Sequence, residues 1–284
     1  MKNKVIRSYA KINLGLNVVS KREDGYHELD MVMLPIELHD SLLFSELKNS
    51  DTNFVTLDDF AFGDSHYNLI TQAINKLCSI YHFNNRFRIS MHKVIPIQAG
   101  LGGGSSNAAF ILKEVRDYLK LPISNDKLKE IGATLGADIP FFIDCKPMRV
   151  QGIGEKLTPI SIKETYYVLI VKPHHGCSTQ KVFNLSDTLT LDAVNIPLII
   201  KGLEEGNDDL IAENVGNSLT KAAIEFVPDI ENIIISLKND GLKIVSMTGS
   251  GSAVFALSRD KKQLRKIAKK YEERYIVEIT KIIK

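Results

Sequence analysis

The run GLGGGSSNAA at residues 100–109 constrains this chain more than any other stretch. It follows the alternating segment FRISMHKVI (87–95) and Pro96, and it precedes an apolar stripe at helical spacing: Ala108, Ile111, Leu112, Val115, Tyr118 and Leu119. Gly100, Gly102, Gly103 and Gly104 are four glycines in five residues. That density is unfavourable in conformational entropy unless the backbone must turn sharply or approach a ligand closely. A glycine-rich strand-to-helix junction presents N–H groups and the positive end of a helix dipole, which suits a phosphate. The plainer alternative is a flexible turn with Ser105 or Ser106 as helix N-cap.

Around this junction, strands and helices interleave. Ile6, Ser8, Ala10, Ile12, Leu14, Leu16 and Val18 share one face of a long half-buried strand, with Arg7, Tyr9, Lys11, Asn13 and Asn17 opposite. It ends at the turn-prone run Lys21 to Gly25. Strand-like runs follow at 29–48 and 53–57, then a helix over 68–81 with Leu69, Ala73 and Leu77 in register. The helix after the glycines stops before Pro122, a further helix covers 125–135 with Gly136 as its cap, and 166–171 is a continuous apolar strand. The remainder reads as helices near 208–226, 229–240 and 260–275, with paired strands inside 243–257. This pattern predicts an α/β or α+β protein. At ~150 residues per domain, 284 residues make about two domains, divided here into 1–158 and 159–284.

Composition works by exclusion. Lys and Arg number 36 against 34 Asp and Glu, so a formal charge of +2 advertises no polyanionic partner. Ten basic and four acidic residues fall within 259–284. Lys261, Lys262, Arg265, Lys266, Lys269 and Lys270 alternate there with Leu264, Ile267 and Ala268, the pattern of an amphipathic surface helix. No nucleic-acid-reading module accompanies it. No apolar run approaches the ~18 residues of a membrane span, and the start MKNKVIRSYAKINLGL lacks a cleavable secretory pattern. Cys78, Cys145 and Cys177 are odd in number and lack metal spacing, so they read as reduced buried thiols of a cytoplasmic protein. HExxH is absent, and the adjacent His174 and His175 would point to opposite faces of a strand. The expectations are no nucleic acid, no membrane, and a monomer or homodimer.

Two familiar phosphate loops are ruled out. A Walker A loop needs a lysine after the glycines, and none follows; a dinucleotide fingerprint needs glycine where Ser105 stands. Two weaker glycine segments remain, Gly152 to Glu155 and Thr248 to Ser252, the second readable simply as a tight hairpin.

Taken in order, the motifs AKINLGL (10–16), PIQAGLGGGSSNAA (96–109) and MTGSGSAVF (247–255) resemble those of the GHMP kinases. Further strings narrow the resemblance within that family: DGYHEL after the first strand, LGADIPFF (135–142), GIGEKLTP (152–159), and Ser178-Thr179 with Val182-Phe183. It covers residues 5–257. It implies a two-domain fold with a ribosomal-S5-like N-terminal domain and a ferredoxin-like C-terminal domain. It also implies ATP-dependent phosphorylation, with Mg²⁺, of the 2-hydroxyl of 4-diphosphocytidyl-2-C-methyl-D-erythritol in non-mevalonate isoprenoid biosynthesis.

The same resemblance implies roles for individual residues. Lys11 and Asp138 match the catalytic pair: Asp138 takes or orients the hydroxyl proton, and Lys11 offsets negative charge. Taken alone, they read as a solvated strand lysine and a capping or turn aspartate. Pro96, Ile97, Gln98, Ala99, Gly100, Leu101, Gly102, Gly103, Gly104, Ser105 and Ser106, with Lys93 and Asn68, match the ATP site, and Ser106 a contact to Mg²⁺. Asn13 matches a contact to the methylerythritol portion, Tyr26 and Phe183 aromatic faces for the base, and His27 a hydrogen-bonding partner. Without the resemblance, Tyr26-His27 is a turn beside a core aromatic. Tyr9 and Thr220 depart from the family pattern, and Cys177 sits beside the expected cytidine pocket. Another small alcohol, such as homoserine or a mevalonate derivative, is the alternative substrate. A catalytically silent nucleotide-binding regulator is the alternative class, against which Lys11 and Asp138 argue.

Overall fold

The computed structural model describes residues 3–58, 60–61 and 68–284. It is a mixed α/β structure of two compact units, each drawn from separated stretches of chain. Two long strands, β1 (Lys4–Lys21) and β2 (His27–Leu47), supply residues to both.

The first unit comprises residues 1–10, 38–96 and 102–145. Here the end of β2 pairs antiparallel with β5 (Arg86–His92), from Ser41 opposite His92 to Leu47 opposite Arg86. Strand β3 (Phe54–Leu57) pairs parallel with β5 and antiparallel with the short β4 (Phe60–Ala61). Alternation in β5 buries Phe87, Ile89 and Met91. Helix α1 (Leu69–Tyr81) buries Ile70, Ala73, Ile74 and Leu77 and packs on α2 (Gly103–Leu119), which buries Ala108, Ile111, Leu112 and Val115. Tyr118, expected inward, is exposed; its ring stands edge-on to Phe44 and Phe87 while its hydroxyl donates to Glu46. Lys120 in the left-handed region ends α2 two residues before Pro122. Helix α3 (Asn125–Ala133) ends at Thr134, short of Gly136, and α4 (Ile139–Asp144) turns the apolar run IPFFI into the core.

The second unit comprises residues 11–37, 97–101 and 146–284. The start of β2 pairs antiparallel with β6 (Met148–Gly152), which forms a hairpin with β7 (Lys156–Pro159). A separate four-stranded antiparallel sheet has the order β10 (Ile244–Met247), β11 (Val254–Ser258), β8 (Tyr167–Lys172), β12 (Ile276–Lys281). Strand β8 is buried from Val168 to Lys172, as its unbroken apolar run required. Helices α9 (Asp229–Asn239) and α10 (Lys261–Ala268) cover that sheet. Helices α5 (Thr179–Ser186) and α6 (Ile196–Glu205), together with β12, lie outside the elements that the sequence pattern predicts, although α6 carried a signal. That signal is Asn195, which caps α6 by accepting from the Leu198 N–H, with Pro197 in its first turn.

The single helix expected over 208–226 is two, α7 (Asp208–Asn214) and α8 (Thr220–Phe226). Between them Gly216 and Asn217 form a two-residue parallel strand, β9, against Gly15 and Leu16, and this pairing overrides the helical periodicity. Likewise α10 ends at Ala268, with turns to Tyr275. All three cysteines are free, but only Cys177 is fully buried.

Candidate active site

The polar face expected for β1 holds only at its start. From Ala10 to Leu16 every residue is buried, and Lys11 and Asn13 are 3% and 1% exposed. A solvated strand lysine is thereby excluded. In the second unit Lys11 Nζ donates to Asn13 Oδ1 at 2.5 Å. It lies against the turn 248–252: a Cβ on Gly249, whose φ is +57°, would stand 3.3 Å from that ammonium. The Asn13 N–H donates to Thr248 Oγ1 at 3.0 Å, and that hydroxyl donates to the Gly100 carbonyl at 3.2 Å. Asn217 Nδ2 donates to the carbonyls of Met247 and Gly249. The turn is therefore more than a hairpin closure.

The stem of the glycine loop completes this cluster. The Lys11 N–H reaches the Leu101 carbonyl at 3.1 Å. The Gln98 carbonyl accepts from the N–H groups of Cys177 and Ser252, and the Ala99 carbonyl from Ala253. At Gly100, φ is +72° and a Cβ would stand 2.0 Å from the Thr248 carbonyl oxygen, so only glycine fits. Lys172, 3% exposed at the end of β8, donates to the Pro173 carbonyl at 2.7 Å, and Ser252 Oγ to that of His175 at 2.6 Å. Burial pushes the Lys172 ammonium pKa down and the Cys177 thiol pKa up. His174 and His175 themselves are exposed.

In the first unit, Gly102 at φ +70° is the N-cap of α2, so Ser105 and Ser106 lie inside the first turn rather than capping it. The first N–H groups of a helix have no acceptor within it, and those of Gly103, Gly104 and Ser105 follow Gly102 here. Ser106, fully buried, donates its hydroxyl to the Tyr9 carbonyl at 2.6 Å, leaving only oxygen lone pairs for a cation. A Cβ on Gly103 would stand 3.1 Å from Lys93 Nζ, which places that ammonium at the start of α2. Lys93 is held there by Asp40, at 2.9 Å, and by the Ile95 carbonyl. The Asp40 carboxylate is wholly buried and also accepts the N–H groups of Val94 and Ile95, each at 2.8 Å, and Asn107 Nδ2 at 3.0 Å. Asn107 in turn accepts from Ser8.

Asn68 uses its side chain to cap α1 through the Ile70 N–H. Asp138 occupies the N-cap position of α4, yet its side chain makes no capping hydrogen bond, so the plain reading as a helix cap fails. Among the described residues no group of three or more His, Cys, Asp or Glu side chains is assembled for a metal.

Of the residues expected at a base, His27 and Phe183 come together in the second unit, and Tyr26 precedes His27 in sequence. His27 Nε2 is 2.6 Å from Asp187 Oδ1, and its ring lies 4.8 Å from that of Phe183 at 34°. Tyr26 is 59% exposed. The hydrogen bond from His27, and then Lys21, hold the Asp187 carboxyl below the usual carboxylate range.

Sequence reasoning missed Asp40, Asn107, Asn217 and Asp187. Ser8, a polar residue on an otherwise apolar strand face, and Asp40, followed closely by Leu42 and Leu43, were the available signals of buried polar pairing.

The model of the GHMP kinases N terminal domain matches residues 68–145, and that of the GHMP kinases C terminal matches 199–277. The putative 4-diphosphocytidyl-2-C-methyl-D-erythritol kinase of Streptococcus mutans is 35% identical over 258 residues, 91% of each chain. This chain belongs to the GHMP kinases. The 4-diphosphocytidyl-2-C-methyl-D-erythritol kinase of Clostridium botulinum is 35% identical over 89% of this chain and 90% of its own. A crystal structure of 4-(cytidine 5'-diphospho)-2C-methyl-D-erythritol kinase superposes with a TM-score of 0.82 at 27% identity, over 98% and 99% of the two chains. Homoserine kinase from Cytophaga hutchinsonii, at 15% identity and a TM-score of 0.74, shares the fold. As a GHMP kinase the chain is a small-molecule kinase that draws on ATP.

Proposed function

We propose that this GHMP kinase transfers the γ-phosphoryl group of ATP to the 2-hydroxyl of 4-diphosphocytidyl-2-C-methyl-D-erythritol. The observation that carries this reading is the 35% identity, over about nine-tenths of both chains, to proteins bearing that name. The pairing of His27 with Phe183, next in sequence to the exposed Tyr26, supports it, because aromatic faces beside a hydrogen-bonding side chain suit a nucleobase.

In this reading Asp138 accepts the hydroxyl proton as the substrate oxygen bonds to the γ-phosphorus and the bond to ADP breaks. Lys11 offsets the negative charge that develops, and Asn13 holds both Lys11 and the methylerythritol portion. Residues 96–106, Lys93 and Asn68 hold ATP, chiefly through the N–H groups at the start of α2. Bound Mg²⁺ supplies charge neutralisation at the phosphoryl oxygens. The Ser106 oxygen, whose hydroxyl donates to the Tyr9 carbonyl and so keeps lone pairs free, would be the protein contact of that ion. A domain boundary near residue 158 belongs to the same reading, since the two family matches end at 145 and begin at 199. So does a cytoplasmic setting, for which three free thiols speak.

The test is ADP release by the purified protein, comparing the cytidyl compound with mevalonate and homoserine. Release with the cytidyl compound is expected; release with either of the others alone overturns the assignment.

A further inference from the structure

We infer that Asp187 is a positioning residue that decides which nitrogen of His27 carries a proton, and thereby selects cytosine over uracil in the substrate. The inference rests on the cytidyl reading above. Its geometry lies wholly within the second unit.

Asp187 caps the C-terminus of α5, and its N–H reaches back to the Phe183 carbonyl at 3.3 Å, one turn earlier. One turn of helix thus delivers both the ring that lies against His27 and the carboxylate that fixes it. An ionised carboxylate only accepts, so His27 Nε2, at 2.6 Å from Oδ1, carries the hydrogen. In neutral imidazole the other nitrogen, Nδ1, is then an acceptor, and it is the nitrogen left for a ligand. At ring position 4, where the inference places the contact to Nδ1, cytosine offers an amine donor and uracil a carbonyl acceptor. An accepting Nδ1 matches the first and opposes the second.

Lys21 makes this arrangement directional. Its ammonium donates to Asp187 Oδ2 at 2.6 Å, on the oxygen that His27 does not use. In Asp187→Asn the amide oxygen turns to Lys21, and the NH₂ group faces His27 Nε2. That nitrogen must then accept, and the proton moves to Nδ1. A carboxylate-to-amide exchange that leaves geometry intact but forces the wrong tautomer is known from serine protease triads.

The test has two readouts. Two-bond ¹H–¹⁵N correlations on histidine-labelled protein, followed over pH so that the neutral form is read, are expected to show His27 protonated on Nε2 in wild type and on Nδ1 in Asp187→Asn. A wild type protonated on Nδ1 overturns the inference without any substrate. Turnover of the cytidyl compound and its uridyl counterpart gives the second readout. The ratio of kcat/KM values is expected to fall at least about tenfold in Asp187→Asn, the size of one hydrogen bond, with the change in KM rather than kcat. Lys21→Met alone is expected to leave the ratio unchanged. Combined with Asp187→Asn it frees the amide to rotate and restores part of the ratio, which a merely structural role would not do. An unchanged ratio in folded Asp187→Asn overturns the inference alone; wild-type turnover of mevalonate or homoserine instead of the cytidyl compound overturns the underlying substrate reading.

Discussion

Thr248 Oγ1 donates to the Gly100 carbonyl at 3.2 Å while accepting the Asn13 N–H at 3.0 Å. One buried hydroxyl therefore joins three segments 87 and 148 residues apart, each of which carries a family motif. Thr248→Val keeps the shape and removes the hydroxyl, leaving a buried donor and a buried acceptor unpaired. The expected loss is about 1–3 kcal/mol per unpaired group, read as a lower urea midpoint, with KM for ATP raised because the loop stem loses its tether.

Two glycines of the loop separate a fold requirement from a ligand requirement. Gly100→Ala meets the Thr248 carbonyl at 2.0 Å in a left-handed conformation and is expected to destabilise by more than the about 1 kcal/mol of the conformation alone. Gly104 lies inside α2, where an added Cβ would stand 3.7 Å from Leu69 Cδ1, so Gly104→Ala is expected to raise stability by about 0.5–1 kcal/mol. If backbone approach to phosphate is what Gly104 serves, the same variant raises KM for ATP. A more stable protein with unchanged KM would remove Gly104 from the nucleotide site.

Asp40 and Lys93 form a pair in which the carboxylate is wholly buried and the lysine only 17% exposed. Asp40→Ala strands Lys93, two backbone N–H groups and Asn107, and is expected to cost about 3–5 kcal/mol in chemical denaturation. Lys93→Met leaves Asp40 its three other donors, so stability is expected to fall less while KM for ATP rises.

The glycine loop, the strand before it and the helix after it were legible because glycine density and a 3.6-residue period leave few alternatives. The burial of Lys11 was not, since β1 alternates apolar and polar residues as a half-exposed strand would, and only tertiary cover reveals that both faces are enclosed. The break at Gly216–Asn217 was hidden for a similar reason: a two-residue pairing with Gly15 and Leu16 is set by a distant segment. Asp40 and Asp187 act through partners 53 and 160 residues away, and no local pattern announces such pairs.

Glu278 on β12 gives a pH-dependent test away from the site. Burial alone pushes its carboxyl pKa above the usual range, so the folded protein favours the protonated form. The penalty is absent below the unfolded value of about 4.3, grows as pH rises towards the folded value, and is complete above it. Glu278→Gln is therefore expected to raise the urea midpoint at pH 7 and to match wild type near pH 3. A gain that persists unchanged at pH 3 would assign the effect to packing instead.

Asp138 separates chemistry from stability most cleanly. Asparagine keeps the size and shape of the side chain and suits the N-cap position, so Asp138→Asn is expected to leave the unfolding midpoint near that of wild type. The amide has no basic oxygen to receive the substrate proton, so kcat is expected to fall about 10²–10⁴-fold with the KM values little changed. Measuring both on the same preparation decides the role. Near-normal kcat in a folded Asp138→Asn protein removes Asp138 from proton transfer, whereas a kcat loss accompanied by a large fall in stability would make it a structural residue of the α3–α4 turn.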